Sequence, residues 1–200
     1  IPNIVKSIPR SKRAKPELNL SKNVILCAGR LEEVKDHKTL IRSFKKINSK
    51  FPDWQIKIFG EGSLQVELDK LIHMLNLQNQ VFLCGYTSDI WVEYQSAQIF
   101  AMPSIYEGWG LALSEAMAYG LPAIGFDNAS GINNLIVHGK TGILADGNNK
   151  VDSLSEGLEH LMQQPTLRKS YGESGAKIVS DFSREKILSQ WQEAICKALG

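Results

Sequence analysis

The chain has 200 residues, of which 43% are hydrophobic and 22% charged, with a formal net charge of +2. That length suffices for one well-cored α/β domain, and the charge is too small to argue for nucleic acid as a partner. No apolar run approaches the roughly 18 to 20 residues of a membrane span and the N-terminus does not read as a signal peptide, so a cytoplasmic protein is expected.

The first segment is basic, with Lys6, Arg10, Lys12, Arg13 and Lys15 close together. This fits a solvated linker, or attraction to an anionic membrane surface with peripheral association. Asn23 to Ala28 is a short apolar run ended by Gly29, hence a first buried strand. Asp36 can cap the helix that follows, on which Leu40, Ile41, Phe44 and Ile47 recur at helical spacing. Trp54 to Phe59 reads as a second strand, and Gly60-Glu61-Gly62-Ser63 turns into a helix bearing Leu64, Leu68, Leu71, Ile72 and Leu75. Val81 to Cys84 is a third strand, and Ser88 can cap a helix from Asp89 to Ser96. Gln98 to Met102 is a fourth buried strand, ended by Pro103, which has no N–H for a sheet ladder.

The next stretch is the most informative. Glu107 falls in a loop where Gly108 and Gly110 let the backbone come close to a ligand. The free N–H groups of about Gly110 to Leu113 then open a short helix closed by Gly120 and Pro122. Such a helix start is an anion site suited to phosphate. Glu115 lies inside that helix among Leu111, Leu113, Ala116 and Met117, where a carboxylate needs hydrogen-bond donors. The vicinal hydroxyls of a sugar or ribose are such donors. An isolated pair of carboxylates at this spacing would read as ordinary surface charge. The glycines, the apolar helix and the preceding strand change that reading.

Pro122 to Phe126 and Gly142 to Ala145 are the fifth and sixth strands. Helices follow over Val151 to Gln163, Leu167 to Ile178 and Arg184 to Leu199, the last with Ile187, Leu188, Trp191, Ile195 and Leu199 on one face. Strands alternating with helices imply an α/β fold, a Rossmann-like parallel sheet with helices on both faces. Ligands then bind beyond the C-terminal strand ends, where the glycine-rich loops lie.

Other chemistries fit poorly. Gly60-Glu61-Gly62 and Gly108-Trp109-Gly110 each lack the third glycine of a dinucleotide fingerprint. Gly139-Lys140-Thr141 resembles the end of a P-loop, but Asn134 stands at the first-glycine position and a strand follows. There is no Asp-x-Asp, and His37, His73, His138 and His160 are scattered, so neither a metal nor a cofactor is expected. Cys27, Cys84 and Cys196 read as reduced, buried thiols.

Glu107-Gly108-Trp109-Gly110-Leu111, followed by Ser114-Glu115-Ala116-Met117-Ala118 and Gly120-Leu121-Pro122, resembles the E-x7-E signature of the retaining GT-B glycosyltransferases called group 1 or family 4. Gly29-Arg30-Leu31 with Lys35, Phe59-Gly60-Glu61-Gly62, Leu83-Cys84-Gly85-Tyr86 and His138-Gly139-Lys140-Thr141-Gly142 resemble that family in its own order. The resemblance implies one half of a GT-B fold. Residues 1–20 would be a remnant of the interdomain linker, which Ile1-Pro2-Asn3 resembles, and 21–180 a nucleotide-sugar-binding domain. Residues 181–200 would be a helix crossing back to the protein's own N-terminal acceptor domain, so the chain is expected to be inactive alone.

The resemblance further implies metal-independent transfer of a hexose-type sugar, with retention, from a nucleoside-diphosphate donor such as a UDP-sugar. The acceptor would be a glycan or lipid-linked molecule of polysaccharide, lipopolysaccharide or capsule biosynthesis. It assigns Arg30 and Lys35 to the donor diphosphate and Glu107 to hydroxyls of the transferred sugar, and these are the catalytic candidates. Glu115 would hold the ribose, the backbone of Gly108, Trp109, Gly110 and Leu111 would meet diphosphate and sugar, Gly85 and Tyr86 would line the base pocket, and Gly62 would let backbone approach the phosphates. Alone, the two cations would pass for surface charge and the glycines for turns. Two departures stand out: Asn134 lies near the place of a family acid in the Asp127 to Leu135 loop, and Trp109 stands where phenylalanine is common. The rival readings are a GT-B relative such as a nucleotide-sugar epimerase, and a nucleotide-sugar-binding module without transferase activity.

Overall fold

The computed structural model describes residues 23–182 and 184–199. The expected linker over residues 1–20 and its basic cluster lie outside the described residues. The strands are β1 (Asn23–Ala28), β2 (Trp54–Phe59), β3 (Val81–Gly85), β4 (Ile99–Met102), β5 (Ala123–Phe126) and β6 (Gly142–Ala145). The helices are α1 (His37–Ile47), α2 (Gln65–Met74), α3 (Ile90–Ser96), α4 (Leu111–Ala118), α5 (Lys150–Gln163), α6 (Pro165–Val179) and α7 (Arg184–Leu199).

The strands form one parallel six-stranded sheet in the order β3-β2-β1-β4-β5-β6. This is the Rossmann-like sheet expected from the alternation of strands and helices. Ile25, Leu26, Ile56, Ile58, Phe100 and Ile124 are fully buried, because helices cover both faces of the central strands. The order descends from β1 to β3 on one side and rises from β4 to β6 on the other. Loops leaving β1 and β4 therefore turn to opposite faces, and a crevice opens between them.

Glycines permit two close backbone approaches in this fold. A Cβ on Gly172 of α6 would lie 1.9 Å from the Gly120 carbonyl oxygen, so its absence lets α6 press on the end of α4. A Cβ on Gly62 would lie 2.5 Å from the carbonyl oxygen of Leu31. There the loops after β1 and β2 are stitched by Leu31 N–H donating to Glu61 O and Leu64 N–H donating to Leu31 O, both at 2.9 Å.

Several local expectations are corrected. Asp36 does precede α1, but it adopts a left-handed backbone with φ 46° and makes no side-chain cap. Its carboxylate instead accepts from Thr39 Oγ1 at 2.8 Å and from Lys150 Nζ of α5 at 3.0 Å, and a charged donor outcompetes an amide. Ser88 does not cap α3 either; Asp89 holds that position, and Ser88 Oγ donates to its Oδ2. Of the three thiols only Cys27 is buried; Cys84 is half-buried on edge strand β3 and Cys196 is exposed on α7, and all three are free. On α7, Ile187 is buried, whereas Leu188, Trp191 and Ile195 are exposed; the position of Leu199's side chain lies outside the described residues. Among the described residues no helix is long and apolar enough to cross a membrane.

The stitching at Gly62 gives a direct test. Gly62→Ala should cost about 1 to 3 kcal/mol through backbone overlap, read as a lower urea midpoint at unchanged slope. Gly108→Ala, where nothing lies within 4 Å of the new Cβ, should stay within about 0.5 kcal/mol of wild type.

Candidate functional site

The crevice is built from the loop after β1, residues 29–36, and the loop after β4, residues 103–110. Lys35 Nζ lies 2.5 Å from Glu107 Oε1, joining the two loops. Ser104 Oγ donates to the same oxygen at 2.7 Å. The side chains of Lys35 and Glu107 are only 18% and 11% exposed, and Ser104 is buried, so the carboxylate is held by two donors away from bulk water. Both donors converge on Oε1. Oε2 keeps its lone pairs for another partner.

Backbone contacts fix the loop that carries Glu107. Ile105 N–H donates to Val34 O at 2.9 Å, and Glu107 N–H donates to Ser130 O at 3.1 Å. A Cβ on Gly131 would lie 2.3 Å from Glu107 O, so the loop after β5 packs directly against this acid. Gly110 then turns the chain into α4 with φ 73°, and no side chain caps that helix start. The first helical N–H groups, from Leu111 onward, have no intrahelical partner and present a positive end to the crevice.

Two adjoining clefts follow. One, of about 320 Å³, is lined by Ala28, Gly29, Arg30, Lys35, Met102, Glu107, Trp109, Gly110, Leu111 and Ala112. The other, of about 420 Å³, lies over β1 to β3 and is lined by Ala28, Gly29, Arg30, Phe59, Gly60, Glu61, Tyr86, Thr87 and Ile90. They meet at Ala28, Gly29 and Arg30.

Thus Arg30, Lys35, Glu107, Trp109, Gly110 and Leu111 share one cleft wall, and Tyr86 stands with Arg30 on the other. Gly62, Gly85, Gly108 and Glu115 are outside both linings. The Arg30 side chain is 72% exposed and pairs loosely with Glu32 at 3.2 Å. Tyr86 is 75% exposed. Gly85 ends β3 with φ 68°, and nothing lies within 4 Å of where its Cβ would be. Trp109 packs edge-to-face on Phe182 at 4.9 Å, and its buried Nε1 has no hydrogen-bond partner among the described residues.

Glu115 is half-buried on α4 and accepts from the Tyr94 hydroxyl at 3.4 Å through Oε2. Tyr94 is buried; burial first, and then the Glu115 carboxylate, push its phenol pKa well up, so it stays a donor. Sequence reasoning missed both Ser104 and Tyr94. Ser104, a small donor at a strand end three residues before an acid, was open to inspection, whereas Tyr94 reads as a core aromatic. Among the described residues no three His, Cys, Asp or Glu side chains form a group that could hold a metal ion.

A family model described as "Glycosyl transferases group 1" matches residues 10–178. The chain is 31% identical over 185 residues to an uncharacterized glycosyltransferase of Haemophilus influenzae, covering 92% of this chain and 51% of that protein. It is 30% identical over 176 residues to the N-acetylgalactosamine-N,N'-diacetylbacillosaminyl-diphospho-undecaprenol 4-alpha-N-acetylgalactosaminyltransferase of Campylobacter jejuni, covering 88% of this chain and 47% of that one. Among solved structures, a mutant of TarM from S. aureus in complex with Fondaparinux, alpha-GlcNAc-glycerol and UDP superposes with a TM-score of 0.85. The two sequences are 26% identical, and the match covers 95% of this chain and 38% of that one. The chain thus spans about half the length of these two curated relatives.

The two cations should separate in a stability measurement. Lys35→Met strands the Glu107 carboxylate in a mostly buried position and should cost about 3 to 5 kcal/mol. Arg30→Ala removes an exposed charge and should change stability by no more than about 0.5 kcal/mol. Urea unfolding of both variants checks this, and equal losses would contradict the geometry.

Proposed function

This chain belongs to the group 1 glycosyl transferases, and from that membership we propose that it is the donor-binding half of a retaining, metal-independent hexosyltransferase. The donor is a nucleoside-diphosphate sugar and the acceptor a glycan or lipid-linked molecule. The observation that carries this reading is the crevice itself, where Arg30, the Lys35–Glu107 pair and the open start of α4 line one cleft.

Each part has a physical task. The leaving nucleoside diphosphate gains negative charge as the glycosidic bond breaks. Arg30, Lys35 and the α4 amides meet that charge, and one such contact is typically worth about 2 to 4 kcal/mol in the transition state. Cations and amides in this role make a divalent ion unnecessary. Glu107, held through Oε1 by Lys35 and Ser104, offers Oε2 to hydroxyls of the transferred sugar. A carboxylate so engaged is a poor nucleophile, which favours retention without a covalent glycosyl intermediate, the leaving phosphate taking the acceptor proton on the same face. Glu115, steadied by Tyr94, accepts from the ribose diol, and the cleft beside Tyr86 takes the base. The UDP named with the TarM structure supports a uridine donor, and the diphospho-undecaprenol in the Campylobacter relative's name supports a lipid-linked acceptor. Groups that bind the acceptor belong to the remainder of the protein.

Calorimetric titration of this chain with UDP, GDP and ADP, without added metal, tests the donor site. UDP should bind, and Arg30→Ala or Glu115→Ala should weaken it by about tenfold or more, equivalent to about 1.4 kcal/mol. A fold-intact chain whose full-length parent also binds no nucleotide would sink the proposal.

A further inference from the structure

Beneath the donor cleft lies a buried polar link that the proposed chemistry does not use. His37 is the first residue of α1 and is 1% exposed. Its Nε2 lies 3.1 Å from the backbone carbonyl oxygen of Arg30, and its Nδ1 lies 3.5 Å from Cys27 Sγ on β1. Cys27 is itself buried, so water does not compete for the contact between its thiol and the ring.

For a neutral imidazole, only one arrangement of protons makes both contacts favourable. The Arg30 carbonyl can only accept, so the imidazole hydrogen must sit on Nε2; Nδ1 is then an acceptor, and the thiol must donate to it. The surroundings favour these protonation states. Burial pushes the Cys27 thiol up to about 12, so it keeps its proton. Burial also pushes the His37 pKa down and outweighs the rest: the bond to Arg30 O opposes it, the nearby Lys35 ammonium adds to it, and the Asp36 carboxylate and the Gly29 backbone oppose it.

The Arg30 side chain reaches into solvent with a single loose partner among the described residues, so the position of its guanidinium depends on the peptide that carries it. That peptide is fixed on one side by Leu31 N–H bonding to Glu61 O, and on the other its carbonyl oxygen accepts from the adjacent Glu32 N–H at 2.9 Å and, from outside the loop, from His37. We propose that His37 is a positioning residue for donor binding: as the neutral Nε2–H tautomer, clamped by the Cys27 thiol, it holds the Arg30 carbonyl and hence the backbone from which Arg30 reaches the diphosphate. The proposal rests on the donor-site reading above. It adds that the site's most exposed cation is placed from the core.

Nitrogen-15 NMR of the full chain with labelled histidine tests the link independently of any ligand. The expected spectrum has His37 protonated on Nε2 and bare on Nδ1; an Nδ1–H tautomer overturns the proposal. His37→Gln can keep a donor near the Arg30 carbonyl, whereas His37→Leu cannot. The Arg30 carbonyl carbon-13 shift should therefore move in His37→Leu and stay near wild type in His37→Gln. UDP affinity should follow the same order, falling by about tenfold in His37→Leu and by less than about threefold in His37→Gln. Cys27→Ala, a small change that removes only the clamp, should weaken UDP by about threefold. Wild-type affinity in all three variants overturns the positioning role. If neither the wild-type chain nor its full-length parent binds UDP, GDP or ADP, the donor-site reading fails and takes the positioning role with it, while tautomer and carbonyl shift still decide whether the link exists.

Discussion

The Lys35–Glu107 ion pair is the constraint on which the rest of the site depends. At the β1/β4 switch point the chain has no continuous element to bridge the crevice, since the two loops leave toward opposite faces. Loops in such a place drift apart unless something spans them. The pair does so between residues 72 apart in sequence, reinforced by the Ile105 to Val34 backbone bond. Buried ion pairs contribute little net stability once desolvation is counted, unless further hydrogen bonds complete them. Ser104 completes this one. What the arrangement secures is therefore geometry: it sets the distance between the loop bearing the cations and the loop bearing the acid, and leaves one carboxylate oxygen turned to other work.

Much of the fold was legible in the sequence because buried parallel strands are written as short apolar runs between punctuating residues. Asn23 to Ala28, Trp54 to Phe59 and Gly142 to Ala145 have the bounds expected of them. The capping assignments fared worse for a physical reason. A cap is inferred from the few residues around it, but Asp36 is engaged by Lys150, which lies 114 residues away. Likewise the burial expected of three cysteines failed where an edge strand and an outward helix face decided exposure. At the site, the acids, the cations and the glycine turn stood out because they are contiguous motifs. Ser104, Tyr94 and His37 did not, since each matters only through a partner that folding brings to it.

Trp109 shows how one wall of the cleft reaches beyond the sheet. A lining residue of the cleft, it also rests its ring on Phe182, in the short turn over Ser180–Phe182 that leads toward α7. An edge-to-face contact of this kind has a preferred geometry and is worth about 0.5 to 1.5 kcal/mol beyond burial. The acid-bearing loop and the C-terminal segment thus constrain one another, so a displacement of that turn bears on the loop that holds Glu107.

The two cations, read as alike in sequence, divide their tasks by environment. Lys35 is already compensated by Glu107 at 2.5 Å, so to an approaching anion the pair presents little net charge. Arg30, largely in solvent with a partner that is itself partly exposed, keeps more of its field for attraction at a distance. At contact range the order reverses. A held ammonium loses little freedom on engaging a phosphate oxygen, whereas an exposed guanidinium must be ordered from many rotamers. On the proposed donor reading, the held cation and the exposed one would therefore supply different parts of the same interaction: the first is preorganised, and the second depends on how firmly its backbone is held.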